Sequence, residues 1–221
     1  CCELVKSILS SGLSGDDKMN TQQVDFTSLY FGTPVAILST QNADGSTNLS
    51  PVSSWWILEK NIVFGLGASG KCYENILQHP NFVLNIPDSM LWQNIEAMAD
   101  KTGKENPPEY KREMGYQFEK DKFLCGGFNK EKSVHINPER IRECPVQIEA
   151  KVIGHKHLGE TGGHLVSIDA RIICVHISEE LLNATSDGVR FNVEKWKPLY
   201  YIFRHYFSVG EKLGSNFRCD G

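Results

Sequence analysis

The feature that most constrains this chain is a pair of long alternating segments in its second half. Val146, Ile148, Ala150 and Val152 would face one way, and Gln147, Glu149 and Lys151 the other. A period of two is that of a strand with one face buried. Leu165 to Ile177 repeats the pattern with Ser167, Asp169 and Arg171 outward, and its phase slips near Ile172-Ile173, as a β-bulge requires. Joined through residues 159–163, the two segments predict a long antiparallel hairpin and a mainly β (α+β) chain.

The first half supplies shorter strands. Pro34 to Thr40 is followed by Asp44-Gly45, a pair suited to the positive-φ geometry of a tight hairpin, and Thr47 to Ser54 returns beside it. Asn61 to Phe64 and Phe82 to Ile86 read as further strands. Between them Ser69 to His79 reads as a short helix that turns Tyr73, Ile76 and Leu77 to one face, with Pro80 beyond its end. A second helix begins at Ser89 and carries Leu91, Ile95 and Met98 inward. Residues 101–132 have little periodicity and read as a long excursion over the surface, with a short helix near Glu109 to Met114. A loop of that length is usually functional or disordered. No repeat or linker divides the chain, so residues 25–215 are expected to form a single domain. Residues 1–24 are expected to be a flexible arm or an expression remnant, Met19 being a second plausible start.

Composition narrows the function. The 221 residues carry 23 Lys+Arg against 27 Asp+Glu, a formal charge of −4. No segment has the dense basic footprint that nucleic-acid binding through counterion release needs. The longest apolar runs are about as short as Leu199 to Phe203, whereas a membrane helix needs roughly 20 residues. Neither nucleic acid nor membrane is expected as a partner. Seven cysteines are scattered with no C-x-x-C pair, the pattern of reduced thiols rather than of disulfides or a zinc site, and a cytoplasmic location is expected.

Gly65-Leu-Gly67-Ala-Ser-Gly70-Lys71-Cys72 matches both the G-x-G-x-x-G and the G-x-x-x-x-G-K nucleotide patterns. Both patterns require a parallel sheet of strand–helix units, which the hairpins on either side contradict. What remains is local. Ser69, Gly70 and Lys71 stand at a helix N-terminus, where free N–H groups and the helix dipole favour an anion, or simply a solvated cap.

Several segments taken in order resemble the flavin reductase-like family with its FMN-binding split barrel. They are residues 33–40, Asn48 to Ser54, Ser69 to Ile76, Phe82 to Pro87, Asp121-Lys-Phe123, Glu143 to Ala150, Gly163 to Val166 and Trp196 to Leu199. The stretch runs from about residue 28 to about residue 210. Cys72 departs from the Thr usual in the phosphate turn. The resemblance implies an antiparallel FMN-binding split β-barrel with a few peripheral helices, paired as a homodimer with FMN near the subunit boundary. It also implies a cofactor site of Ser50, Pro51, Val52, Ser53 and Ser54 along the ring, and Ser69, Gly70, Lys71, Cys72 and Asn75 around the phosphate. His164, after Gly162-Gly163, would be the catalytic contact to flavin or nicotinamide. One of Trp55 and Trp56 could wall the ring, and Arg204, His205 and Tyr206 could cover it.

No metal is expected. His155-x-His157 shares a strand face but lacks a third ligand. The function implied is an NAD(P)H-dependent flavin reductase, with FMN as cofactor and NADH or NADPH as co-substrate. A small-molecule electron acceptor or a partner monooxygenase would receive the electrons. Two readings stay open beside it: an FMN-binding electron carrier or redox sensor, and a cofactor-free structural or partner-binding barrel.

Overall fold

Two consecutive strands, joined by only two residues, form the opposite edges of the main sheet, and that fixes the architecture. The computed structural model describes residues 20–26, 28–159 and 163–216. In chain order the elements of the first half are β1 (Phe31–Pro34), β2 (Ala36–Gln41), β3 (Thr47–Val52), β4 (Trp55–Leu58), β5 (Asn61–Gly67), α1 (Lys71–Gln78), β6 (Asn81–Ile86) and α2 (Trp92–Glu96). The excursion holds β7 (Lys101–Thr102), α3 (Glu109–Glu113), β8 (Gln117–Phe118), α4 (Lys122–Gly126) and β9 (Lys130–Glu131). The remainder is β10 (Arg140–Ile141), β11 (Val146–Leu158), β12 (Leu165–Ile177), β13 (Leu182–Thr185), β14 (Gly188–Phe191), β15 (Leu199–Ile202) and β16 (His205–Ser208). The main sheet is antiparallel in the order β3-β2-β6-β11-β12-β5-β4. Its edges are β3 and β4, and the link between them is Ser53-Ser54. Two residues span at most about 7 Å, so the sheet must curl until its edges meet. The result is a barrel split along one seam.

The long hairpin forms as expected. Glu149 pairs with Cys174 and Ala150 with Ile172, which leaves Ile173 as the bulged residue. The turn after β2 is longer than a two-residue hairpin. Asn42 N–H donates to the Ser46 carbonyl at 2.8 Å, Asp44 accepts from the Ser46 N–H at 3.0 Å, and only Gly45 takes a positive φ (84°).

The barrel interior is filled by Ala36, Leu38, Phe64, Phe82, Leu84, Ile148, Val166 and Ile168, with the Phe64 and Phe82 rings edge-to-face at 5.1 Å. A second core lies outside β2 and β3, where Val35, Ile37 and Leu49 meet Ile95, Met98, Phe123, Phe128 and Ile141. Strand β2 is thus buried on both faces, which explains its unbroken apolar run. Asn85 ties the two layers together: its amide donates to the Ile37 carbonyl at 2.9 Å and its carbonyl accepts from the Ile141 N–H at 2.9 Å.

Four expectations change. Leu77 is exposed, and α1 buries Cys72, Tyr73, Asn75 and Ile76 instead. Gln147 and Glu149 do face away from the barrel interior, but residues 128–145 fold over them and bury them; Gln147 donates to the Ile141 and Cys144 carbonyls at 2.7 and 2.9 Å. The 101–132 excursion is not a surface loop, because it contributes Phe123 and Phe128 to the second core. The run Leu199 to Phe203, whose aromatic content predicts an exposed contact surface between subunits, is not an open apolar patch either: Leu199 is buried, and residues 199–202 form β15 between β1 and β16. Residues 1–19 of the expected arm lie outside the described residues.

Candidate functional site

The seam of the barrel opens into a cavity of about 480 Å³. Its walls are built from four places in the chain, and they differ in chemistry. The seam itself contributes Ser50, Pro51, Val52, Ser53 and Ser54, with Gly65 to Gly67 opposite. The start of α1 contributes Gly70, Lys71 and Cys72, and the excursion adds Lys101, Thr102, Gly103, Lys111, Tyr116 and Lys122. Tyr30, Val35, Ile95, Tyr201 and Tyr206 complete an aromatic side. Among the described residues, four lysines and no carboxylate line the cavity.

The start of α1 is capped without a side chain. Gly70 is the N-cap and has no side chain to accept from the first turn. The N–H groups of a helix's first turn have no partner within the helix. Close approach is built in twice. A Cβ on Gly103 would overlap Asn48 Oδ1 and press on Lys71 Cγ at 3.0 Å, and one on Gly70 would meet the Gly67 carbonyl at 3.1 Å. Ser69 turns away from the cavity wall to share a hydrogen bond with the Tyr110 hydroxyl at 2.5 Å. That contact ties α3 to the helix start, and α3 carries Lys111.

Cys72 is buried, and burial pushes its thiol up to about 12, only partly offset by Lys122 and by the Ser50 and Thr40 hydroxyls. It is a neutral thiol in the cavity wall, not a nucleophile. Lys122 is 3% exposed and donates to the Leu49 carbonyl at 2.8 Å. Burial pulls it down to about 8, and nearby Cys72 opposes that shift. On the aromatic side the Tyr201 ring stands 5.5 Å from Tyr30 and 5.7 Å from Tyr206. Tyr206 donates to Glu96 at 3.0 Å; burial, then Glu96, raises its phenol well above the usual value, so it stays protonated.

The structure thus brings Ser50 to Ser54 and Gly70 to Cys72 onto one cavity. It does not bring Ser69, Asn75 or His164 into the wall. Asn75 is buried behind it, its amide donating to Thr40 at 3.1 Å and to Asn42 at 2.9 Å, while its Oδ1 has no hydrogen-bond partner among the described residues. The His164 carbonyl accepts from the Ala68 N–H at 2.8 Å, and its imidazole is exposed. Trp55 leans on the barrel core and donates to the Pro34 carbonyl at 2.8 Å, Trp56 is exposed, and neither lines the cavity. Of Arg204, His205 and Tyr206, only Tyr206 does.

Sequence reading missed the lysines of the excursion and Tyr30, Tyr116 and Tyr201. Asp121-Lys-Phe123 was the one legible signal. Asp121 caps α4 by accepting from the Leu124 N–H at 3.2 Å, and the buried Phe123 turns that helix inward, so Lys122 enters with it.

A split antiparallel barrel whose seam meets a lysine-rich helix start defines a class of small cofactor-binding barrels, and comparison with known proteins places the chain within it. The flavin reductase like domain matches residues 28–210, and the chain belongs to that family. It is 37% identical over 192 residues to the uncharacterized protein YdfE of Bacillus subtilis (strain 168), covering 87% of this chain and 91% of that protein. Among solved structures it is similar to the flavoredoxin of Desulfovibrio vulgaris (Miyazaki F), with a TM-score of 0.72 at 20% identity over 90% of this chain and 98% of that one. Nitrilotriacetate monooxygenase component B from Bacillus cereus aligns with a TM-score of 0.65 at 19% identity, covering 84% and 88%. The family is one of flavin-related oxidoreductases. Among the described residues no helix is long and apolar enough to cross a membrane.

Proposed function

We propose that this chain is an FMN-dependent oxidoreductase, an NAD(P)H:flavin reductase that works as a homodimer. The observation that carries the reading is the single cavity in which a barrel seam, an uncapped helix N-terminus and four lysines converge. The donor set suits a terminal phosphate dianion: Lys71 and Lys111 supply point charges, the first turn of α1 supplies N–H donors, and glycine at 70 and 103 lets Gly67, Asn48 and Lys71 pack closely around that turn. Pro51 has no N–H, and the seam leaves the backbone of Ser50 to Ser54 outside the β-ladder on one side, so its polar groups suit a ring edge. The tyrosine side excludes water and offers aromatic faces. The exposed His164 imidazole is available to a co-substrate arriving from solvent. Bound FMN supplies a two-electron acceptor for the hydride of NADH or NADPH. A small molecule or a partner monooxygenase would take the electrons onward, the latter in keeping with the likeness to a monooxygenase component B from Bacillus cereus.

Purified protein should bind FMN and show flavin absorbance in the visible, and anaerobic NADH or NADPH should bleach it. A protein that takes up no FMN overturns the proposal in favour of a cofactor-free barrel. One that binds FMN but is bleached by neither nicotinamide is an electron carrier or redox sensor.

Pairing rests on side chains that the single chain leaves open. Leu58, Leu165, Ile173 and Val175 are 65%, 58%, 43% and 48% exposed on the strands of the main sheet. Apolar surface of this kind is usually a contact site. Sedimentation at micromolar concentration should give twice the 24.9 kDa chain mass. A monomer that still holds FMN tightly would overturn the dimer and leave the cofactor reading standing.

A further inference from the structure

On the outer face of the β11–β12 hairpin, away from the flavin cavity, three different ligand types converge. Glu149 and Cys174 are directly paired across the ladder, and His176 lies one pair along, opposite Gln147. A carboxylate oxygen of Glu149, the Cys174 Sγ and a ring nitrogen of His176 all lie within 4.8 Å of one another. His176 Nε2 stands 2.8 Å from Glu149 Oε1 and 3.1 Å from Cys174 Sγ. One ring nitrogen carries at most one proton, so a single N–H is shared between two acceptors. This is not a relay, in which the two neighbours would hold opposite ring nitrogens. With the Nε2 and thiol protons displaced, the three atoms would offer lone pairs to one cation.

The surroundings hold that geometry. Glu149 is wholly buried, and the Val134 and His135 N–H groups each donate to its carboxylate at 2.8 Å. Those bonds fix its orientation, as the supporting hydrogen bonds of metal-ligating carboxylates do. The Arg140 guanidinium close by is already engaged by Gln147, the Lys132 carbonyl and Glu131. His176 also lines a second cavity of about 520 Å³, which gives access from solvent.

We infer that Glu149, Cys174 and His176 form a binding site for a zinc-like divalent transition metal, with a fourth position left for water or a small ligand. A carboxylate, an imidazole and a thiolate are the ligand types zinc takes, at bond lengths of about 2.0–2.3 Å. Magnesium and calcium prefer an all-oxygen set. One carboxylate and one thiolate balance the ion's charge. Binding releases the Cys174 thiol proton to solvent and moves the His176 ring proton to Nδ1. The ligands stand 27 positions apart at the extremes and meet only through strand register, so no spacing motif announces them.

The test is a cobalt titration of the full chain after removal of metal by a chelator. One Co²⁺ per chain is expected, with tetrahedral visible bands and a sulfur-to-cobalt charge-transfer band in difference spectra, and Zn²⁺ should displace it. Cys174→Ser should abolish the charge-transfer band, and His176→Gln should weaken binding at least about tenfold. Both side chains are only half-buried, and unchanged circular dichroism would show that the variants fold. No sulfur band in the natural sequence overturns the site, as does a band that survives Cys174→Ser, because another thiol would then be the ligand. FMN uptake is read separately, since none of the three residues lines the flavin cavity.

Discussion

Reversing two of the cavity's four lysines, Lys71→Glu with Lys111→Glu, is expected to raise the Kd for FMN by about 100- to 10,000-fold. A hydrogen bond to a charged group contributes about 1.5–3 kcal/mol, and two such losses give about 3–6 kcal/mol. Repulsion between the new carboxylates and a phosphate dianion adds to this. Riboflavin is the control, because it carries the same ring without the phosphate. Its binding should change little, since Lys71 and Lys111 sit at the helix-start end of the cavity and not among the seam residues. Isothermal titration with both ligands decides the matter: equal losses for FMN and riboflavin would mean that the variant had damaged the seam, and no loss for FMN would place the phosphate elsewhere. Of the lining lysines, Lys71 is paired with Glu74 at 2.6 Å, but Glu74 lies outside the cavity wall and also answers Lys104 at 3.1 Å, so the wall itself stays cationic.

The parts of this site that were legible in sequence are those that local chemistry fixes. Gly70-Lys71 after a strand and before an amphipathic turn reads as a helix start wherever it occurs, and it is one. The alternation of residues 146–152 and 165–177 fixed the long hairpin, and its slip marked the bulge at Ile173 to within one residue. What sequence could not show depends on closure. Ser53-Ser54 becomes a seam only because five strands stand between β3 and β4 in sheet order and a two-residue link pulls the ends together. Lys101, Lys111 and Lys122 look like solvated charges in a segment without periodicity, and only the second core, reached through Phe123, brings that segment back over the helix start. Outwardness misled in the same way. Gln147 and Glu149 occupy the polar phase of a correct alternation, yet residues 128–145 cover that face, so their polarity serves buried hydrogen bonds rather than solvent. Alternation reports which residues share a face, not what later folds over it.

Replacing Lys122 by Met is expected to strengthen the ligand-free fold while weakening FMN binding, because the lysine's burial is unfavourable until an anion arrives. Its folded-state value of about 8 lies below its ordinary 10.5, chiefly through burial. Below pH 8 both folded and unfolded chains hold the proton, and the folded chain bears the whole penalty, about 3 kcal/mol for a shift of that size. Between about 8 and 10.5 the unfolded chain binds a proton that the folded chain does not, so this contribution to instability fades as pH rises, and above 10.5 it is gone. Methionine keeps most of the volume but deletes the charged hydrogen bond to the Leu49 carbonyl, a loss of about 1.5–3 kcal/mol. The difference leaves Lys122→Met up to about 1.5 kcal/mol more stable near neutral pH, or up to about 3–6 °C in Tm for a chain of this length. Binding has the opposite sign. A phosphate dianion in the cavity would raise Lys122 back toward its ordinary value, so natural FMN affinity should fall as pH climbs through about 8, and the Met variant should bind more weakly with that fall removed. Thermal melts of flavin-free protein at pH 7, with FMN titrations at pH 7 and pH 9, measure both halves. A less stable variant would show that Lys122 is held for the fold; a stable variant that binds FMN as before, with its pH dependence intact, would show that this lysine does not face the phosphate at all.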